Sequence, residues 1–239
     1  MFLNPALSAA LDRIAERASD VRRAYAPGAQ PQHDDVAVPA PGSTFTLDPL
    51  SVAAADGAYF VTRDARGDYA YLRNGSFHFE GGTLVGENGG PILGRRADGT
   101  LSELRVDPVD AALGRSDAAR VEADGSVVYD RVAIDPRSAR PLSQRVVVGR
   151  IALARFAAGT RLSSAGGDAV VPPGGVIAHC GTPGDGAFAA LLPHRRQRSG
   201  IDLDESLARL KEAYVAFDAL QAAQNAKGHT TKTTMDLLK

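Results

Sequence analysis

Ala58-Tyr59-Phe60-Val61-Thr62, Tyr69-Ala70-Tyr71-Leu72 and Ser76-Phe77-His78-Phe79 follow one another with only short polar turns between them. Aromatic and β-branched residues dominate each run, and each run is too short for a helix of three turns. The punctuation is Ala65-Arg66-Gly67-Asp68 and Asn74-Gly75, then Gly81-Gly82, Asn88-Gly89-Gly90, Asp98-Gly99 and Asp124-Gly125. Glycine at these places supplies the positive φ that tight hairpin turns require. Strands at this spacing predict an antiparallel β domain.

Working outward, the same texture extends over residues 50–193, which read as entirely β. The longest apolar strand expected is Val146–Phe156, with Arg150 and Arg155 marking a wet face. The Gly/Pro-rich stretch Gly166–Gly186 reads as loop. Residues 26–49 carry Pro27, Pro31, Pro39, Pro41 and Pro49 and read as a linker, because proline at this density disfavours helix and central strand.

Both flanks are helical by period. Leu3, Leu7, Leu11, Ile14, Ala18 and Val21 draw one apolar stripe over residues 1–25, with Asn4-Pro5 as cap and first helical position. Pro27-Gly28 stops that helix. Over residues 199–239, Asp202 and Glu205 have capping-box spacing. Leu203, Leu207, Leu210, Tyr214, Phe217, Gln221 and Gln224 then repeat as a heptad seam whose end turns polar. Gly228 is expected to interrupt the helix, with Met235, Leu237 and Leu238 beyond it. Each stripe is too narrow to be its own core. Period alone leaves two arrangements open: packing within one chain, or packing against sister chains.

Composition removes several function classes. The 239 residues carry 27 Lys+Arg against 28 Asp+Glu, a net charge of −1 that gives no bulk reason to bind nucleic acid or anionic lipid. The single cysteine, Cys180, allows neither an intrachain disulfide nor a zinc site of two or more thiolates. No run approaches the ~18 apolar residues of a membrane span, so direct membrane insertion is not expected. Met1–Leu11 has no secretory signal pattern.

Residues suited to chemistry are sparse. His179-Cys180 is the best nucleophile-and-base pair by residue type, but neighbours on an extended chain point to opposite sides. His33, His78, His179, His194 and His229 lack metal-ligand spacing. The glycine pairs do not follow a strand and open a helix, so hairpin turns account for them better than a phosphate cradle. Asp56, Asp64 and Asp68 sit in turns rather than as a glycosidase pair. His194-Arg195-Arg196-Gln197-Arg198 lacks interleaved aromatics, which argues against nucleic-acid stacking. It reads as a solvated linker, or as a contact for an acidic patch on another copy. No catalytic residue, metal or cofactor is expected.

Three stretches carry a resemblance. The first is Asp56-Gly57-Ala58-Tyr59-Phe60-Val61, Tyr71-Leu72-Arg73-Asn74-Gly75-Ser76-Phe77, Gly82-Thr83-Leu84-Val85 and Asn88-Gly89-Gly90-Pro91-Ile92-Leu93-Gly94. The second is Asp124-Gly125-Ser126-Val127 with Val148-Gly149-Arg150-Ile151-Ala152-Leu153-Ala154-Arg155-Phe156 and Leu162. The third is Ser199-Gly200-Ile201-Asp202. In order and spacing these resemble the bacterial flagellar rod and hook family over residues 50–239. The family's Asn-rich motif after the first helix has no counterpart in Ala18–Gly28. Lys211-Glu212-Ala213-Tyr214 stands where the family has Gln-Arg-Ala-Tyr.

The resemblance implies a mainly β fold with α-helical termini, the β domain standing on a stalk of the two amphipathic helices. It also implies a non-enzymatic subunit of the basal-body rod, exported uncleaved by the flagellar type III apparatus. Its partners would be copies of itself in a helical polymer and other flagellar axial proteins. The assembly seam would be Leu3, Leu7, Leu11, Ile14, Val21, Leu203, Leu207, Leu210, Tyr214 and Phe217. A heterologous contact repeated along a screw grows an open tube rather than a closed ring. The competing reading is a β-rich binding module for carbohydrate or peptidoglycan, with the helices as a dimerisation stalk.

Overall fold

The computed structural model describes residues 5–26, 29, 42–134, 141–166, 168–174, 176 and 178–237. The fold is mainly β, with a central antiparallel β domain flanked by an N-terminal and a C-terminal helix. The terminal helices α1 (Pro5–Arg23) and α3 (Leu203–Leu237) pack against each other and form one compact unit. The strands form the second, with a short helix, α2 (Pro108–Ala112), and a 3-10 turn, Arg115–Ala118.

The first strands of the β unit are β1 (Ser43–Phe45), β2 (Val52–Ala54), β3 (Tyr59–Arg63), β4 (Tyr69–Leu72), β5 (Phe77–Glu80) and β6 (Thr83–Gly86). Then come β7 (Leu93–Arg95), β8 (Leu101–Glu103), β9 (Arg120–Val121), β10 (Ser126–Ile134) and β11 (Pro141–Arg150). The last are β12 (Leu153–Arg155), β13 (Ser163–Gly166), β14 (Ala169–Val171), β15 (His179–Gly181), β16 (Leu191–Pro193) and β17 (Arg195–Gln197).

A six-stranded sheet, β13-β14-β4-β3-β12-β15, is the frame. Its strand β3 is covered on both faces, which is why Tyr59-Phe60-Val61 is continuously apolar rather than alternating. On one face Phe60, Leu72, Phe77, Leu84, Ile92, Ile151, Leu153, Phe188 and Leu191 form the main core. Phe60 meets Phe77 edge-to-face at 5.1 Å. On the other face Val61, Tyr71, Leu93, Ala152 and Ala154 form a smaller cluster, joined by Tyr59 and Phe156. Hairpins β5-β6 and β7-β8, the strand pairs β1-β17 and β16-β2, and the sheet β11-β10-β9 complete the unit.

The glycines of the first resembling stretch have local reasons. A Cβ on Gly75 would overlap the Val52 carbonyl oxygen and lie 2.9 Å from the Phe60 ring. One on Gly94 would lie 2.5 Å from Leu104 Cδ2 and 2.7 Å from the Arg150 carbonyl oxygen. Arg73 is buried and donates to the Gly57 carbonyl, with its guanidinium 5.0 Å from the centre of the Tyr59 ring. These residues hold backbone segments against one another.

Six expectations need correction. The stretch 50–193 is not entirely β, because Asp107 caps α2 by accepting the Val109 N–H, with Pro108 at its first position. The strand expected over Val146–Phe156 is two strands, β11 and β12, parted at Ile151-Ala152 as the chain passes between sheets. Gly166–Gly186 is not simply loop, since it contains β14 and β15. The basic run is a strand and not a solvated linker. Within it β17 pairs with β1, Thr44 opposite Arg196, and the Arg196 Nε donates to Ser76 Oγ at 3.0 Å. That pairing also places a strand inside the stretch read as linker, most of which lies outside the described residues. Finally, Gly228 does not interrupt α3, which continues to Leu237. One interior glycine costs only about 1 kcal/mol, and alanine, glutamine and lysine precede it.

Candidate assembly surface

The helical unit is built by the spacing of its side chains. In α1, Ala10 and Ile14 are buried, Leu7, Ala18 and Val21 are half-buried, and Leu11 is exposed. Leu3 lies outside the described residues. Asp202 starts α3 by accepting the N–H groups of Asp204 at 2.9 Å and Glu205 at 3.1 Å. Glu205 does not reach back as in a capping box; it pairs with Arg209 one turn on.

The seam of α3 is displaced from the one drawn by its large residues. Leu203, Leu210, Ala213 and Phe217 are half-buried and Ser206 is buried, a row spaced three and four apart. Leu207 and Tyr214 fall on one flank of that row and remain 45 % and 50 % exposed. Leu220 on the other flank is 40 % exposed, and Val215, on the far side, is 62 % exposed. Gln221 and Gln224 are exposed as well. Thus Leu203, Leu210 and Phe217 are partly covered within the chain, while Leu207, Tyr214, Val215 and Leu220 leave apolar surface in water. Sequence reasoning missed Val215 and Leu220 because neither falls on a heptad position of the large-residue seam.

At about 1.5 Å per residue, α3 spans roughly 52 Å and α1 roughly 28 Å. The longer helix therefore outruns its partner by several turns, and no helix among the described residues is long and apolar enough to cross a membrane.

The β unit holds its ionisable groups in structural roles. Asp110 of α2 is buried. It accepts from the Tyr129 hydroxyl at 2.5 Å, pairs with Arg115, and has Arg131 at 3.5 Å. The Tyr129 hydrogen bond, with the two arginines behind it, lowers the Asp110 carboxyl below the usual carboxylate range. Burial first, and the same hydrogen bond second, push Tyr129 up to about 12. This network pins α2 to β10. Sequence reasoning did not find it, because its members are 5, 19 and 21 residues from Asp110.

His179 and Cys180 do not form a working pair. Cys180 is half-buried on β15, and burial pushes its thiol up, the direction opposite to the one that activates a nucleophile. His179 instead stacks on Phe188 at 5.7 Å. Asp56 is held by Arg155 and by the Ala189 N–H, while Asp64 accepts from the N–H groups of Arg66 and Asp68 within its turn. No group of three or more His, Cys, Asp or Glu among the described residues could hold a metal ion.

No model of a known protein family matches this chain, and no curated protein matches it either. The functional reading therefore rests on the residues themselves.

Proposed function

We propose that the chain is a structural subunit of the bacterial flagellar basal-body rod, an axial protein that polymerises into a helical tube and transmits torque for motility. One observation carries the reading: the exposed apolar side chains Leu207, Tyr214, Val215 and Leu220 lie on a helix that outruns α1. Apolar surface spread over more than one face of such a helix favours burial against further helices. Sister chains supply those helices, with other flagellar axial proteins at the ends of the stack. The β unit, with its own two-faced core, forms an outer layer that resists shear. In this reading the chain works across the periplasm, reached through the flagellar type III export apparatus, and acts without catalysis, cofactor, nucleic acid or membrane insertion.

The test is sedimentation of the purified chain over a concentration series. A subunit of this kind polymerises above a threshold concentration into particles of indefinite length. A monomer, or a closed dimer, that persists at every concentration overturns the proposal; a closed dimer with a saturable sugar ligand favours the binding-module alternative.

A further inference from the structure

Three arginines from two segments line one cleft of about 470 Å³ in the β unit. Arg95 ends β7, Arg96 opens the β7-β8 turn, and Arg150 ends β11. Ala97, Asp98, Gly99 and Thr182 complete the lining. The backbone forces part of this gathering. Gly94 approaches the Arg150 carbonyl so closely that a Cβ would stand 2.7 Å from it, and Gly94 also bridges Ile151. Arg95 and Arg150 are thereby fixed at neighbouring positions on two strands.

The local carboxylates leave much of this charge without a partner. Asp98 is turned onto its own hairpin, accepting from the Thr100 N–H at 2.9 Å and from its hydroxyl at 2.6 Å. Asp185 lies near enough to Arg95 to feel its charge, but accepts the N–H groups of Thr182, Ala187 and Phe188. Asp124 reaches Arg150 alone, at 3.3 Å. Arg96 gives its Nε to Ser102 Oγ at 3.0 Å, which orients it without neutralising it. The Arg95 guanidinium has no hydrogen-bond or ion-pair partner among the described residues. Guanidinium groups gathered in a concavity focus positive potential and match oxyanions bidentately.

We propose that this cleft is a binding site for a small multivalent oxyanion, a group bearing several carboxylate or phosphate oxygens. Arg95 is the principal contact, Arg96 the second, and Arg150 with the Thr182 hydroxyl closes the far wall. A cleft of this volume falls in the range of small-molecule sites. The inference stands apart from the assembly reading, since it concerns the β unit.

Titration calorimetry and amide chemical shifts, with inorganic pyrophosphate and citrate as probes at low salt, test it. One probe is expected to bind saturably at one site, with shifts confined to residues 95–99, 150 and 182 and affinity falling as salt rises. A tighter pyrophosphate assigns the site to phosphate, and a tighter citrate assigns it to carboxylate. R95Q and R96A, each at an exposed position, should weaken binding about tenfold or more, the scale of one lost charge-assisted bond. R66A, on the β3-β4 turn, should leave it unchanged. The proposal fails if neither probe saturates below about 10 mM, weaker than ordinary specific binding. It fails equally if R95Q and R96A bind like wild type, or if R66A weakens binding as much as they do.

Discussion

Truncating the exposed flank of α3 should separate assembly from folding. Leu207 is 45 % exposed and Tyr214 50 % exposed. Fully burying a leucine gains about 1.5–3 kcal/mol, so the exposed part of Leu207 holds roughly 1 kcal/mol in reserve. A tyrosine buries about 150–250 Å², so half of Tyr214 leaves about 100 Å², or roughly 2.5 kcal/mol at about 25 cal/mol per Å². Allowing for the methyl groups that remain, L207A/Y214A should weaken each intersubunit contact by about 3 kcal/mol. That raises the threshold concentration for polymerisation by about 100-fold. The free chain should hardly notice, because alanine is the better helix former and exposed substitutions move stability by about 0.5 kcal/mol or less. Light scattering against concentration reads the threshold, and circular dichroism reads the helix. A threshold within about threefold of wild type would refute the reasoning. So would a loss of helicity in the dilute variant, since these side chains would then be holding α3 on its own chain.

Three predictions concern the β unit. G75A should destabilise it by several kcal/mol, on the order of the overpacking range, because the new Cβ has backbone beneath it, whereas G67A faces open space and bears only the strain of φ +88°, about 1–2 kcal/mol; urea unfolding ranks the two. R73K should also destabilise, since a point charge keeps neither the reach to the Gly57 carbonyl nor the flat contact on Tyr59; the midpoint should fall without a change in slope. Stability should fall at both pH extremes. Tyr129 titrates higher folded than its ordinary value of 10.0, so its contribution is whole below that value and lost as pH rises through about 12. Asp98, Asp110, Asp124 and Asp185 are all lowered from 3.8, so theirs is whole above that value and lost as pH falls below it. Tyr129→Phe should remove part of the alkaline loss measured by thermal melts, and leave the other three acid contributions in place.

Local chemistry was legible in the sequence where one short segment decides the outcome. Gly67, Gly81, Gly82, Gly89, Gly99 and Gly125 all sit at positive φ in the turns where they were expected, because hairpin geometry demands it. Gly75 was expected to do the same and does not; it is glycine because Val52 and Phe60 leave no room for a Cβ. The Asp202 cap belongs to the same class, while the Asn4 cap expected for α1 lies outside the described residues. What depends on distant partners was not legible. β1 pairs with β17 across some 150 residues of chain, so neither Ser43–Phe45 nor the arginines of Arg195–Gln197 announce a strand. The α3 seam misled for a different reason. Its most buried described position beyond the cap is the small, polar Ser206, so a stripe drawn through the large residues rotates toward Leu207 and Tyr214. That rotation is what leaves them half exposed. The α2 cap, Asp107-Pro108, did carry a signal, but five residues are too few for a hydrophobic period to confirm it.

The most direct test is in the cell. Deleting the gene from its source organism and isolating flagellar basal bodies should, on this account, give structures that stop before hook and filament, with motility lost. Restoring the wild-type chain should return both and place the chain within the purified rod, while the L207A/Y214A chain should restore them poorly. Complete, rotating flagella in the deletion strain would contradict the account.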